Sequence, residues 1–136
     1  MSNGPETPLV MVDVVILSQE DRDVLLIRRN KDPYDRLWAL PGSFVQVREK
    51  LEDATAPIAK DEAGLKVEDV RLVGVYSGPD RDPRGHNISC TFFAAGWSGE
   101  PSPGSDAAEI AFVDPSEVEI GFDHEKIILD ARSLVS

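Results

Sequence analysis

The stretch Pro41-Gly-Ser-Phe-Val-Gln-Val-Arg-Glu-Lys-Leu-Glu-Asp-Ala-Thr-Ala-Pro-Ile-Ala-Lys-Asp-Glu-Ala-Gly-Leu65 decides how the chain is read. Pro41-Gly42 is a strong break, and helical spacing begins at Leu51. It continues through Ala54, Ile58, Ala59 and Glu62 to Gly64, a residue type that ends helices because it tolerates the left-handed backbone. Residues at i, i+3 and i+4 share one helix face, so Ile58, Asp61 and Glu62 lie side by side, with Glu49 on the preceding loop. Two acids on one face can grip a hard cation, or they can simply form a solvated face beside Lys60. Pro57 is the local anomaly, since inside a helix it removes a hydrogen bond and clashes with the preceding turn at a cost of about 3 kcal/mol. Either the helix bends there, or Thr55 caps a helix that starts late and puts Pro57 in its first turn.

Outward from this segment, Leu9–Leu17 is a near-continuous apolar run rich in β-branched residues, suited to a strand buried on both faces. Val24–Ile27 predicts a second strand ending in Arg28 and Arg29, and Leu37–Leu40 a short one stopped by Pro41-Gly42. Long strands are expected over Val67–Tyr76 and Asn87–Trp97, and another over Ala108–Val113. Glu125–Val135 has helical apolar spacing at Ile127, Ile128, Ala131 and Leu134. Strands around one central helix, with a second helix at the end, imply an α/β layered domain with a mixed β-sheet. Residues 1–8 read as a disordered leader and residues 9–136 as a single domain.

Between two of the strands, the segment Ser77-Gly-Pro-Asp-Arg-Asp-Pro-Arg-Gly85 is stiffened by its glycines and prolines and presents Arg81 and Arg84. Arginine forks suit phosphate or carboxylate ligands. The competing role is internal pairing with Asp80 and Asp82, and the sequence leaves both open. Trp38, Tyr34, Phe44 and Tyr76 are candidates to stack on a base, although Trp38 between Leu37 and Ala39 has the neighbours of a core residue. His124 is a candidate acid or base; a lone histidine before a helix is more often a cap.

The formal charge of −11 argues against non-specific nucleic-acid or anionic-membrane binding, which need basic surface. It leaves room for a small anionic ligand. The N-terminus lacks the basic start and apolar core of a signal peptide, so a cytoplasmic protein is expected. The one cysteine, Cys90, excludes an internal disulfide and sits among strand-forming residues, as a buried inert thiol would.

The 41–65 stretch resembles the Nudix box, G-x5-E-x7-R-E-U-x-E-E-x-G-U with U aliphatic. Glu62 and Asp61 fall on its paired acids and Glu49 on its isolated one. Pro57 stands where the box has Arg, Ile58 where it has the first metal-binding Glu, and Ser43 where it has the opening Gly. Gly74–Gly85, Asp106–Glu109 and Phe122–His124 look like the ADP-ribose pyrophosphatase-like branch and the related regulators of NAD metabolism. The resemblance covers about Leu9 to Leu134. It implies a Nudix-like α/β/α sandwich acting on a nucleoside diphosphate-linked, nucleotide-like small molecule, one that is ADP-ribose- or NAD-derived.

By the same resemblance, water attacks phosphorus with Mg²⁺ or Mn²⁺ held by Asp61, Glu62 and Glu49, which are also the catalytic candidates. Arg81, Arg84, Arg28 and Glu109 are candidates for substrate binding, and Asp106 or Glu109 could replace the carboxylate missing at Ile58. The family often forms homodimers. Its regulators add a winged-helix DNA-binding domain, which is not expected in a chain this short and acidic. Three readings follow: a pyrophosphohydrolase with an impaired metal site, a binding or sensor module without hydrolysis, and a fold repurposed for metal-independent chemistry.

Overall fold

The computed structural model describes residues 5–20, 22–105 and 107–135; residues 1–4 of the expected leader and Asp106 lie outside them. Seven strands and two helices follow in the order β1 (Leu9–Val15), β2 (Val24–Arg29), β3 (Trp38–Ala39), β4 (Gly42–Phe44), α1 (Leu51–Ala63), β5 (Lys66–Tyr76), β6 (Asn87–Ser98), β7 (Ala107–Val113) and α2 (His124–Val135). The strands divide into two sheets, where the sequence suggested one. The larger, in order β4-β1-β6-β5, is mixed, with β1 parallel to β6 and the other pairs antiparallel. The smaller, β3-β2-β7, is wholly antiparallel.

Alternation along β1 explains the layers. Val12, Val14 and Ile16 face α1 and pack on Ala54, Ile58, Ala59 and Ala63, together with Cys90 and Phe92 of β6. Val15 and Leu17 face the other way and pack with Leu26 on Ile127, Ile128 and Ala131 of α2. One helix therefore covers each side, which is the expected α/β/α arrangement. The period of two also puts Asp13 on the α2 side, together with Ser89 and Thr91 of the paired strand.

Three local expectations need correction. The α1 helix neither starts late nor restarts at Thr55; it runs through Pro57 without interruption. Thr55 is buried, and its hydroxyl donates to the Glu52 carbonyl at 2.7 Å, back into the same helix. Pro57 lacks the N–H that would satisfy the Asp53 carbonyl, and burial of Ala54, Thr55, Ile58 and Ala59 around it outweighs that loss. The short strand does stop before Pro41-Gly42, as expected, and Gly42 then opens a further strand, β4, which pairs with β1. The first strand stops at Val15, with Leu17 bridging to Val24. Leu134 is 62% exposed and outside the α2 core.

Gly64 does end α1, with φ of 71°, and the Gly64 and Leu65 N–H groups donate to the carbonyls of Lys60 and Ala59. The loop before β7 seals the same helix end: Ser102 and Gly104 N–H groups donate to the carbonyls of Ala63 and Glu62. A side chain at Gly104 would collide with the Asp61 backbone. No helix among the described residues is long and apolar enough to cross a membrane.

Because α1 is held by packing against its own proline, Pro57→Ala is expected to raise stability by about 2 kcal/mol, the helix-interior penalty less the entropy proline removes from the unfolded chain. Urea denaturation of both proteins checks this; an unchanged or lower midpoint would show that the Pro57 ring carries packing that alanine cannot replace.

Candidate functional site

Two cavities adjoin on either side of β4, sharing Ile27, Ser43, Phe44 and Glu62 in their walls. The first, about 280 Å³, is walled by α1 and the loop that precedes it: Glu49, Pro57, Ile58, Asp61 and Glu62. The three sequence-predicted acids thus come to one cavity, but they do not converge. Glu49 is engaged with its own loop, its Oε1 accepting from the Gln46 N–H at 3.0 Å. Ile58 is 6% exposed and belongs to the α1 core, so an aliphatic wall lies between loop and paired acids. Among the described residues, no three carboxylate, imidazole or thiolate groups come together closely enough to hold a metal ion.

The second cavity, about 240 Å³, is lined by charged groups from several elements, among them Asp13, Arg29, Lys31, Glu62, Arg81, Asp82, Arg84 and His124. Both loop arginines therefore face the cavity that Glu62 also lines. Both are also internally paired, one as expected and one not. Arg84 forks the Asp82 carboxylate, with Nη2 to Oδ2 at 2.7 Å and Nε to Oδ1 at 3.0 Å. Arg81 instead reaches across the chain to Asp123, with Nη2 to Oδ1 at 2.6 Å and Nε to Oδ2 at 2.8 Å. Burial alone would raise the Asp82 pKa, but hydrogen bonds from the Arg84 side chain and backbone and from Asn87 outweigh it and bring it down to about 2. Burial likewise works against the Arg81 charge, and Asp123 overcomes it, holding the guanidinium above its ordinary value.

His124 opens α2 and is buried. Its Nδ1 accepts from the Leu40 N–H at 3.0 Å, which places the neutral ring's proton on Nε2, 3.8 Å from Asp13 Oδ2. Burial pushes its pKa below the ordinary histidine value; Asp13 and Asp123 oppose that shift, and Arg81 and Arg29 add to it. With its lone pair committed to Leu40, this imidazole positions Leu40 and faces Asp13, and it is not placed as a general base. Beside it, Phe122 has a φ of 57°, unusual for a bulky residue. Its ring is held by Tyr34, His124 and the guanidinium groups of Arg29 and Arg84.

Arg28 and Glu109 are cross-strand partners on β2 and β7, paired at 3.0 Å, and neither is among the residues that line the two cavities. Asp106 lies outside the described residues. Of the aromatic candidates, Phe44 lines both cavities; Trp38 packs against the α2 core, Tyr34 against Phe122, and Tyr76 donates to Asp130 at 2.8 Å beside α2. Cys90 is buried, and burial raises its pKa, as suits an inert thiol. The sequence reading passed over Asp13. Its signal was a lone carboxylate inside an otherwise apolar run.

A model of the NUDIX domain matches residues 7–131. The chain belongs to the Nudix family. It is 45% identical over 124 residues to an ADP-ribose pyrophosphatase of Methanocaldococcus jannaschii, covering 90% of this chain and 72% of that one. Among solved structures, a MutT/nudix family protein from Enterococcus faecalis superposes with a TM-score of 0.87 at 27% identity, covering 99% of this chain and 64% of that one. The NUDIX domain of Shewanella oneidensis NrtR complexed with ADP ribose gives 0.86 at 22% identity, covering 96% and 90%, and speaks for the fold alone. The kinship is with Nudix hydrolases, which generally use divalent metals. Here the donors of the right type are Asp61, Glu62 and Glu49, without a third helical carboxylate at Ile58.

The buried groups of the second cavity carry a pH signature. His124 is neutral in the fold and its pKa is depressed, so the unfolded chain binds more protons once pH falls below about 6.5, and stability declines there. Asp82 acts lower: its contribution, about 2 kcal/mol, is present above pH 4 and is lost as pH falls towards about 2. Urea midpoints at pH 7.5 and pH 5 are expected to differ less in His124→Gln than in the native chain. An equal difference in both would remove His124 as the source.

Proposed function

We propose that this Nudix protein binds an ADP-ribose-like, nucleoside diphosphate-linked compound across the two adjoining cavities. We further propose that it hydrolyses the pyrophosphate at least about a hundredfold more slowly than a relative with a complete acid cradle, a loss that corresponds to roughly 2.7 kcal/mol of transition-state stabilisation. The observation that carries this reading is Ile58, buried in the α1 core and walling the first cavity beside Asp61 and Glu62. An isoleucine gives no oxygen to a cation, and the shorter Asp61 reaches less far than a glutamate. Pro57 lacks the charge with which an arginine would hold the neighbouring acids in place. Kinship with the pyrophosphatase of M. jannaschii supports the choice of ligand.

In this reading Glu62, common to both cavities, stands at the junction where the pyrophosphate lies. Arg81 and Arg84 line the second cavity on one side of that junction. Because each is already forked to a carboxylate, they act as oriented charge and do not swing to clamp the ligand. Phe44, exposed and common to both walls, is the surface on which a base can stack. Arg28 and Glu109 are assigned to bracing β2 against β7.

A second reading, binding without turnover, is favoured by the second cavity, where Arg81 and Arg84 are paired independently of Asp61 and Glu49. Assays of ADP-ribose and NADH with Mg²⁺ and with Mn²⁺, in the native chain and in Pro57→Arg/Ile58→Glu, separate the two. Weak native hydrolysis that rises at least about a hundredfold in the double variant is expected. Robust native turnover would overturn the impaired-cradle reading and direct attention to Asp106 as a replacement ligand. Silence from both, with the variant's melting transition intact, would favour a binding module or a different reaction.

A further inference from the structure

Asp13 is an acid where the sequence alternation calls for an apolar residue. It is 3% exposed, in the middle of β1, and flanked by Val12 and Val14 that are wholly buried. Leaving a carboxylate there is costly unless its oxygens are satisfied. One of them is. Ser89 Oγ donates to Oδ2 at 2.6 Å, Thr91 Oγ1 lies 2.9 Å behind Ser89 and passes its own proton forward, and the His124 Nε2–H faces the same oxygen from 3.8 Å.

The other oxygen has no such partner. No protein hydrogen bond reaches Oδ1 among the described residues. It lies instead over Gly42, its cross-strand partner on β4, so closely that a side chain on Gly42 would collide with it. Asp13 and Gly42 are both wall residues of the second cavity. The glycine of Pro41-Gly42 thus does more than break a strand: it leaves room for a carboxylate edge.

We infer that Asp13 Oδ1 is the specificity-determining acceptor of the second cavity, reading the vicinal hydroxyls of a ribose on the bound ligand. This deepens the proposed function and rests on its placement of the ligand. A carboxylate oxygen accepts up to two donors, which a vicinal diol supplies, and it repels a phosphate. The anion-attracting groups of this cavity are instead the Arg81 and Arg84 guanidinium groups. The backing by Ser89, Thr91 and His124 fixes the carboxylate's rotamer, so the acceptor is in place before the ligand arrives. Hydrogen bonds to a charged group are the stronger kind, so removing the donors costs about tenfold or more in affinity.

The test is calorimetric titration of the native chain with ADP-ribose and with two analogues. One lacks the adenosine-side diol, and the other carries a hydroxyl-free ring in place of the terminal ribose. One analogue is expected to bind about tenfold or more weakly than ADP-ribose. In Asp13→Asn, whose carbonyl oxygen is drawn to Ser89 and whose amide faces the cavity, that difference is expected to shrink to about threefold or less. Tight native binding that ignores both analogues, or a loss that survives in Asp13→Asn, overturns the inference and leaves the ADP-ribose reading intact. No native binding of ADP-ribose, with a hydroxyl-dependent affinity for AMP, ADP or NADH instead, overturns that reading and supports Asp13. Binding of none of these overturns both. Should Asp13→Asn not fold, a crystal structure of the native chain with ADP-ribose decides the matter: a ribose hydroxyl on Oδ1 supports the inference, and a phosphate, a base or bare solvent there ends it.

Discussion

The fork between Arg81 and Asp123 holds the second cavity together. Arg81 is 5% exposed and belongs to the loop between β5 and β6; Asp123 immediately precedes α2. A guanidinium so far out of water is tolerable only with its carboxylate in place, and losing one partner of such a pair typically costs about 3–5 kcal/mol. The pair therefore locks two distant segments to each other, and their neighbours in sequence follow. Phe122 is held in its left-handed conformation on one side of Asp123 and His124 on the other, stacked ring on ring. On the loop, Asp82 and Arg84 are set by the same closure, with Asn87 donating to Asp82 at 2.8 Å. The result is a cavity wall in which the Arg81–Asp123 and Arg84–Asp82 charges are paired before any ligand is present, with Asp13 Oδ1 left over as an acceptor.

The first cavity is organised by a different force. Its α1 wall is a helix kept in register by apolar burial against β1 and β6, and that burial tolerates a proline in the second turn. The same packing that rescues the helix also claims Ile58. A side chain at that position points both at the core and at the cavity, so a carboxylate there would trade hydrophobic burial for a metal ligand. The chain has the apolar choice, which stabilises the fold and withholds an oxygen from the acids beside it.

Much of the architecture was legible because it follows from local periodicity. The apolar spacing of α1, its glycine stop at Gly64, the loop over 77–85 and the long strands on either side of it all follow from residues a few positions apart. Pro57 misled because its cost is local and its compensation is not: Val12, Val14 and Phe92 come from other elements. The β4 strand was missed because three residues beginning at Gly42 carry no periodic signal and form a strand only through pairing with β1. The site was less legible than the fold. Arg28 was a binding candidate only by the family resemblance, yet it pairs with Glu109, 81 residues away, and the pair stands outside the cavities. Asp13 was visible as an acid in an apolar run, but only the parallel register with β6 brings Ser89 and Thr91 behind it, and only α2 brings His124.

Under the proposed function, the second cavity holds the ligand without the α1 acids, beside which Ile58 offers no carboxylate. Ligand binding measured with and without divalent metal tests that claim most directly. Titration of the native chain with ADP-ribose in EDTA and in millimolar Mg²⁺ or Mn²⁺ is predicted to give dissociation constants within about threefold of one another. Binding that appears only with metal, or tightens by about a hundredfold when metal is added, would contradict the account and restore the α1 acids to the centre of the site.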